Sequence, residues 1–336
     1  MPKVSIIVVN YNYARYLDER IQSFLNQTYQ DFELILIDNG STDNSAQIIN
    51  QYKEDKRVRV ELFSDNIHPF LRWNRAVESI KSEYIVIAAA DDSCDPRLLE
   101  KLVEKLDANP SVGLAFAQSW EVDSHGKRLR SCKETTDHLD LERWSQDFID
   151  KGINECQYLF LQCTIPNPSG ALLRREIFDQ AGRLSTQMRM CSDWLLWAKM
   201  LTISDIAFVA EPLNYYREST GGISLRQSVE GSIRETEETL KVLLYFREAG
   251  IPSPNNFCEK KYYPLLRDWL KMLSFKHPSF RANLRILRLF QRMGLRTNYQ
   301  LLKYIISEVL QRKVSNTYRK IPSFKREHEH TADLSQ

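Results

Sequence analysis

The chain lacks any apolar run long enough to cross a bilayer. Its longest are short pieces such as Val4–Val9, against the roughly 18–20 residues a spanning helix needs. Met1-Pro2-Lys3 enters that run without a basic region or a small-residue cleavage site, which argues against a secretory signal and for a cytoplasmic location. Cysteine is sparse: Cys94, Cys132, Cys156, Cys163, Cys191 and Cys258 include no CxxC pair, which excludes a zinc ribbon and a dithiol redox site and predicts free thiols. GxGxxG, GxxxxGK followed by Ser or Thr, HExxH and GxSxG are all missing. Dinucleotide-binding, P-loop, zinc-protease and α/β-hydrolase chemistry therefore lack their signatures. With only 11 Gly and 12 Pro, collagen-like and low-complexity classes are excluded as well.

What is present is an ordinary globular composition, 43% apolar and 27% charged over 336 residues. That length accommodates one catalytic domain of roughly 220–250 residues and an appendage. The net charge of +2 conceals a segregation. Between Met272 and Lys320 there are eleven Lys or Arg and one acid, Glu308, giving +10; residues 321–336 contribute −1, so residues 1–271 sum to −7.

Val4–Val9 has the pattern of a buried strand, and Leu17, Ile21, Phe24 and Leu25 then repeat at i, i+4, i+7, i+8, the spacing of one helix face. Phe32–Ile37 predicts a second strand, Asp43–Tyr52 a short helix and Val58–Leu62 a third strand. Trp73, Val77 and Ile80 stripe a helix, and Tyr84–Ala90 predicts a fourth strand. Asp95-Pro96 predicts an N-cap with proline at the first helical position, before the apolar face of Leu98, Leu99, Leu102, Val103 and Leu106. This alternation predicts an open, largely parallel α/β sheet. Val112–Ala117 and Trp120–Val122 then precede the turn Asp123-Ser124-His125-Gly126, so hairpin pairing is expected there. From Ser232 the pattern is helical nearly to Lys320.

Ligands of α/β sheets bind at the carboxyl ends of strands, and here those ends are polar. They carry Asn10-Tyr11-Asn12, Asp38-Asn39-Gly40-Ser41-Thr42-Asp43, Ser64-Asp65-Asn66 and Asp91-Asp92. Asp38–Asp43 also reads as a turn with a helix cap, and Asp91-Asp92 as a cap for the helix that follows. Adjacent carboxylates after a buried strand raise each other's pKa unless a cation sits between them. Hard oxygen ligands of this kind select Mg²⁺ or Mn²⁺, ions that bridge to substrate phosphates.

The ordered set VSIIVVNYN, FELILIDNGSTDNS, WNRAVESIKSEYIVIAAADD, NPSGALLRREIFDQAG and SDWLLWAKM resembles family 2 glycosyltransferases over about residues 3–220. The resemblance implies a GT-A-like nucleotide-diphospho-sugar transferase fold, a Rossmann-like mixed sheet flanked by helices, with a helical C-terminal extension. It implies inverting transfer of a sugar from a nucleotide-diphosphate donor, a UDP-sugar first, to an acceptor hydroxyl in cell-surface polysaccharide or glycolipid synthesis. Tyr11 would stack on the nucleobase, and Asp38 would bond the base or ribose. Asp91 and Asp92 would hold the divalent ion, and Asp193 would be the general base. Asn10, Asn12, Asn66, Trp73, Asn74 and Arg217 complete the expected donor contacts.

Two departures stand out: Ala89 occupies the place of a first acid, and no histidine follows Tyr216-Arg217. Arg217 is the expected phosphate partner in its stead. Those departures also leave open a binding protein without catalysis. Asp193 has its own plain alternative, a helix cap in Ser192-Asp193.

The expected division is a catalytic domain 1–222, a basic helical extension 223–320 and a disordered tail 321–336. Arg281, Arg285, Arg288 and Arg292 fall on one helical face. Within 276–320 this stripe serves either as a solvated face of a packed helix or as an attachment to anionic lipid at the inner face of the cell membrane. A membrane-bound scaffold is the third alternative. A nucleic-acid partner is not expected, since no recognition motif accompanies the charge. Glu327-His328-Glu329-His330 reads as a solvated charge run.

Overall fold

The computed structural model describes residues 1–217, 228–274 and 280–293, with single positions at 299, 302, 303 and 306. The boundary expected at 222–223, the tail 321–336 and most of 294–320 lie outside the described residues.

Strands β1 (Val4–Asn10), β2 (Phe32–Asn39), β3 (Val58–Phe63) and β4 (Tyr84–Ala89) form a parallel half-sheet in the order β3-β2-β1-β4. Every residue of β1 is buried, as expected for a parallel strand covered on both faces. The second half is mixed. β9 (Ala171–Arg174) lies antiparallel between β4 and β6 (Val112–Val122), and β6 runs parallel to β10 (Asp205–Arg217). β5 (Ser93–Cys94) and β8 (Phe148–Asp150) pair with β10, and β7 (Arg128–Ser131) closes a hairpin on β6.

Helices cover both faces. α1 (Ala14–Leu25) and α4 (Leu98–Ala108) share one apolar cluster with Val4, Ile6 and Val8, while α3 (Pro69–Glu78) and α7 (Ser192–Leu201) share the other with Ile7 and Val9. α2 (Ser45–Gln51), α5 (Gly152–Leu159) and α6 (Arg175–Gln180) are shorter. Leu17, Ile21 and Phe24 of α1 are fully buried, worth about 1.5–3 kcal/mol each.

Two sequence expectations are corrected. Residues 112–122 make one strand, because the polar Gln118 and Ser119 at its centre are satisfied rather than exposed. Ser119 Oγ accepts from Asn214 Nδ2 at 3.0 Å, and Gln118 Oε1 accepts from Ser119 N at 2.9 Å. The helix after Asp95-Pro96 starts at Leu98. Asp95 Oδ1 accepts the Arg97 N–H at 3.0 Å, so Pro96 belongs to a capped turn before the helix.

The C-terminal helices α8 (Val229–Glu248), α9 (Tyr263–Ser274) and α10 (Phe280–Arg292) join the same apolar core as α7. Leu240, Leu243 and Phe246 of α8 meet Leu266 and Trp269 of α9 and Ile286 and Phe290 of α10 there. Two of the four stripe arginines are spent on α8: Arg285 grips Glu237 with Nε at 3.0 Å and Nη2 at 2.9 Å, and Arg292 pairs with Glu248. Arg281 and Arg288 are exposed.

Candidate active site

The carboxyl ends of β1 and β2 meet in register, Asn10 opposite Asp38. Asp38 Oδ1 accepts from Asn10 Nδ2 at 3.0 Å and from Ser41 Oγ at 2.5 Å, and its Oδ2 accepts the Ser41 N–H at 3.0 Å. Ser41 Oγ in turn accepts the Asn12 N–H at 3.0 Å, and Asn12 Oδ1 accepts the Thr42 N–H at 2.8 Å. Asn12 adopts φ 61°, which asparagine tolerates. Gly40 has φ 79°, and a Cβ there would lie 2.8 Å from the Asp65 carbonyl carbon, so only glycine fits. From this braced loop Tyr11 projects with 40% of its surface exposed.

The end of β3 is tied in by Arg72, buried over the Phe63 ring at 3.6 Å. Its Nε donates to Asn39 Oδ1 at 2.7 Å and its Nη2 to Asp65 Oδ1 at 3.0 Å. Asn66 accepts from Asn39 Nδ2 at 2.9 Å.

Three sequence candidates for donor contacts also make contacts within the fold. Trp73 Nε1 donates to the Ile7 carbonyl at 3.2 Å. Asn74 spends both ends of its amide on the backbone of Leu184, at 2.8 and 3.2 Å. Arg217 is buried: Nε donates to the Asp91 carbonyl at 2.6 Å, Nη1 to the Asp123 carbonyl at 2.9 Å and Nη2 to Glu19 Oε2 at 2.6 Å. Its guanidinium braces the turn of the aspartates with three of its five N–H groups.

The two aspartates are unequal. Asp92 is 1% exposed. Its Oδ2 accepts from Asn167 Nδ2 at 2.7 Å and Ser169 Oγ at 2.6 Å, while Oδ1 accepts the Arg217 N–H at 2.8 Å. Asp91 is half-buried, and no other described residue donates to its carboxylate. Burial, and then the charge of Asp92, pushes Asp91 up to about 7. Arg20, fully buried on α1 over the Phe24 ring at 4.1 Å, has no hydrogen-bond partner for any guanidinium nitrogen among the described residues. Burial disfavours its charge, and Cys94, Asp92 and Asp91 offset that cost.

No group of three or more His, Cys, Asp or Glu suited to a metal occurs among the described residues. A divalent ion here would rest on Asp91 with Asp92 and complete its shell from water and substrate oxygens, as Mg²⁺ usually does. An under-satisfied carboxylate beside a second one fits such an ion, because a cation relieves the repulsion that raises Asp91.

Asp193 lies in the first turn of α7, half-buried, its Oδ1 accepting the Trp194 N–H at 2.8 Å. After burial, the charge of Asp193 is the main cause holding the Cys163 thiol well above its usual range. Asp193 therefore lies near Cys163.

Asn167, Ser169, Glu19 and Arg20 are the residues sequence reasoning missed. Asn167 and Ser169 left a signal as the opening of NPSGALLRREIFDQAG, and Arg20 left one because it falls within the buried spacing 17, 20, 21, 24 of α1.

A mixed sheet with polar strand ends gathered around paired aspartates is the arrangement expected of a GT-A-like fold. The family model described as Glycosyl transferase family 2 matches residues 5–182, more than half of the chain. The chain belongs to that family. It is 29% identical over 222 residues to an uncharacterized glycosyltransferase of Nostoc sp., covering 64% of each chain. It is 28% identical over 224 residues to glycosyltransferase GlyG of Streptococcus pneumoniae, covering 66% of this chain and 72% of the relative. The chain thus spans just under two thirds of the Nostoc relative's length.

Among solved structures, S. aureus TarS in complex with UDP-GlcNAc matches with TM-score 0.59 at 16% identity, covering 88% of this chain and 83% of that one. A mannosyltransferase from Pyrobaculum calidifontis, in complex with GDP-Man and Mn²⁺, matches with TM-score 0.53 at 16% identity, covering 95% and 88%. These likenesses establish the GT-A-like fold with C-terminal helices. Among the described residues no helix is long and apolar enough to cross a membrane.

Proposed function

We propose that the enzyme transfers a sugar, with inversion, from a nucleotide-diphosphate sugar to an acceptor hydroxyl, and that a divalent ion assists. One observation carries this reading: Asp92 is immobilised by three donors beside Asp91, whose carboxylate no other described residue satisfies. Asp91 and Asp92 would hold Mg²⁺ or Mn²⁺, which when bound neutralises the diphosphate as it departs. Tyr11 offers an exposed ring to the nucleobase, and the Asn10–Asp38–Ser41 network fixes the loop that carries it, with acceptor capacity left on Asp38 Oδ2 for the ribose or base. Asp193 takes the proton of the attacking hydroxyl, a task suited to a half-buried carboxylate.

The donor is a UDP-sugar first, as in the TarS complex, with a GDP-sugar second, as in the archaeal one. The acceptor is a glycan or lipid-linked precursor of a cell-surface polymer. A putative teichuronic acid biosynthesis glycosyltransferase of Bacillus subtilis, 32% identical over 104 residues, supports that direction. Peripheral attachment at the inner face of the membrane rests on Arg281 and Arg288, exposed stripe arginines of α10 that, unlike Arg285 and Arg292, are not paired with an acid of α8 among the described residues.

The test is thermal unfolding across UDP- and GDP-sugars with and without Mn²⁺. A donor at about 100 times its Kd adds roughly 2.7 kcal/mol, so a metal-dependent rise in Tm with one donor is expected. No rise with any donor overturns the reading.

A further inference from the structure

We infer that Glu238 is a positioning residue for the transfer reaction, acting through the helix that carries Asp193; the inference rests on the assignment of Asp193 as the base. Glu238 lies on α8, in the C-terminal helical region, and is 3% exposed. Its carboxylate accepts three successive backbone N–H groups of the chain entering α7. Arg189 N lies at 2.9 Å from Oε1 and 3.1 Å from Oε2, Met190 N at 2.7 Å and Cys191 N at 3.0 Å from Oε2. Cys191 is the N-cap of α7, and its own side chain makes no capping bond. Glu238 therefore supplies from another helix the anionic cap that α7 does not provide for itself.

The grip is anchored from behind. Glu237, the preceding residue, is held by the Arg285 fork from α10 and by Lys241 Nζ at 3.0 Å, so α8 is fixed in place where it meets α7. On the other flank Ser192 Oγ accepts the Ser185 N–H at 2.8 Å and donates to the Ser185 carbonyl at 3.1 Å. Asp193 follows directly on this clamped segment. A side chain one residue into a helix inherits its direction from the cap, and displacement of a reacting group by about 1 Å can cost 10²-fold in rate. The donor loops, by contrast, hang from β1, β2 and β4 and make no bond to Glu238.

The test uses the full chain with the nucleotide sugar selected by thermal shift. It measures donor Kd, kcat for release of the nucleotide diphosphate, and deuterium uptake of the peptide spanning 185–197. Glu238→Ala is expected to keep donor Kd within about twofold of the parent, lower kcat by about 10- to 100-fold and raise uptake at 189–193. Glu238→Gln, which retains a carbonyl oxygen to accept the same N–H groups, is expected to recover most of kcat and protection. Parent-like kcat and uptake in Glu238→Ala overturns the inference, as does a loss of donor binding equal to the loss in kcat in both variants. Asp193→Asn, measured alongside, separates the two assignments. An unchanged kcat there removes the base role, whereas a slow Asp193→Asn beside a parent-like Glu238→Ala removes only the clamp.

Discussion

Ser169 links the end of β4 to the buried aspartate: its hydroxyl accepts the Ala89 N–H at 3.0 Å and donates to Asp92 Oδ2 at 2.6 Å. The hydroxyl thus occupies the neighbourhood where a further acid was absent from the sequence, and it fixes Asp92 without adding charge. Asp92→Asn should therefore act on the fold as well as on chemistry, since an amide turns an NH₂ toward donors it cannot satisfy. A loss of about 1–3 kcal/mol in denaturant unfolding is expected, with turnover falling at least about 100-fold. Stability equal to the parent's would show that the three bonds to Asp92 contribute nothing.

Asp91→Asn should behave differently. Its carboxylate is half-buried and repelled by Asp92, so the amide removes a liability. Unfolding above pH 7 in the absence of metal should show stability equal to or above the parent's, while Mn²⁺-dependent donor binding, read by calorimetry, is lost. Retained metal-dependent donor binding would transfer the ion to other ligands.

The same residue sets a pH dependence. Asp91 is raised to about 7 in the folded chain from an ordinary value near 4, so between those limits the folded state holds a proton that the unfolded state has released. Its contribution to stability therefore declines as pH rises from about 4 to about 7 and is level above that. Burial also raises Asp92, so urea unfolding in EDTA across this window should show a steeper decline in the parent than in Asp91→Asn; superimposable profiles would refute the shift.

Asp193→Asn should leave metal-dependent donor binding within about twofold of the parent and reduce turnover by about 10²–10⁴-fold. Steady-state release of the nucleotide diphosphate, set beside donor calorimetry, measures both. Weakened donor binding would instead make Asp193 a donor contact.

The arginine stripe divides in two. Arg285→Gln strips the fork from Glu237, a buried carboxylate that Arg285 and Lys241 hold below its usual range against the opposing effect of burial. About 1–2 kcal/mol of stability should be lost. Arg281 and Arg288 are exposed, so changing both to Gln should leave Tm within about 1 °C and weaken flotation with anionic vesicles. If vesicle binding is unchanged, the membrane proposal fails.

Much of the first half-sheet was legible because β1, β2 and β4 are largely apolar runs and α1 carries a clean apolar stripe. The polar strand ends followed directly, since Asn10, Asp38 and Asp91-Asp92 each close such a run. Which residues hold Asp92 was not legible, although Asn167 and Ser169 open a motif visible in the sequence. They and Arg217 lie 75, 77 and 125 residues away, and separations of that size leave no local sign of the pairing. Arg217 was read as a phosphate contact because an arginine's charge is visible in sequence, whereas its burial against Glu19 and the Asp91 carbonyl is not. The fold contacts of Trp73 and Asn74 were hidden for a related reason: their polar atoms serve the Ile7 and Leu184 backbone, contacts made only once α3 has docked. The long strand β6 was divided because Gln118 and Ser119 look like a break until Asn214 is seen opposite.

The placement of β10 bears on how the enzyme can be dissected. The family match ends at residue 182, which invites an excised fragment with that end, yet β10 begins at Asp205 and pairs with β5, β6 and β8. Removing it would strip the Arg217 N–H from Asp92 and open one side of the eleven-residue β6. A long apolar strand with a row of free amides and carbonyls is a template for association between chains. Such a truncation should be recovered as insoluble material rather than as a smaller enzyme.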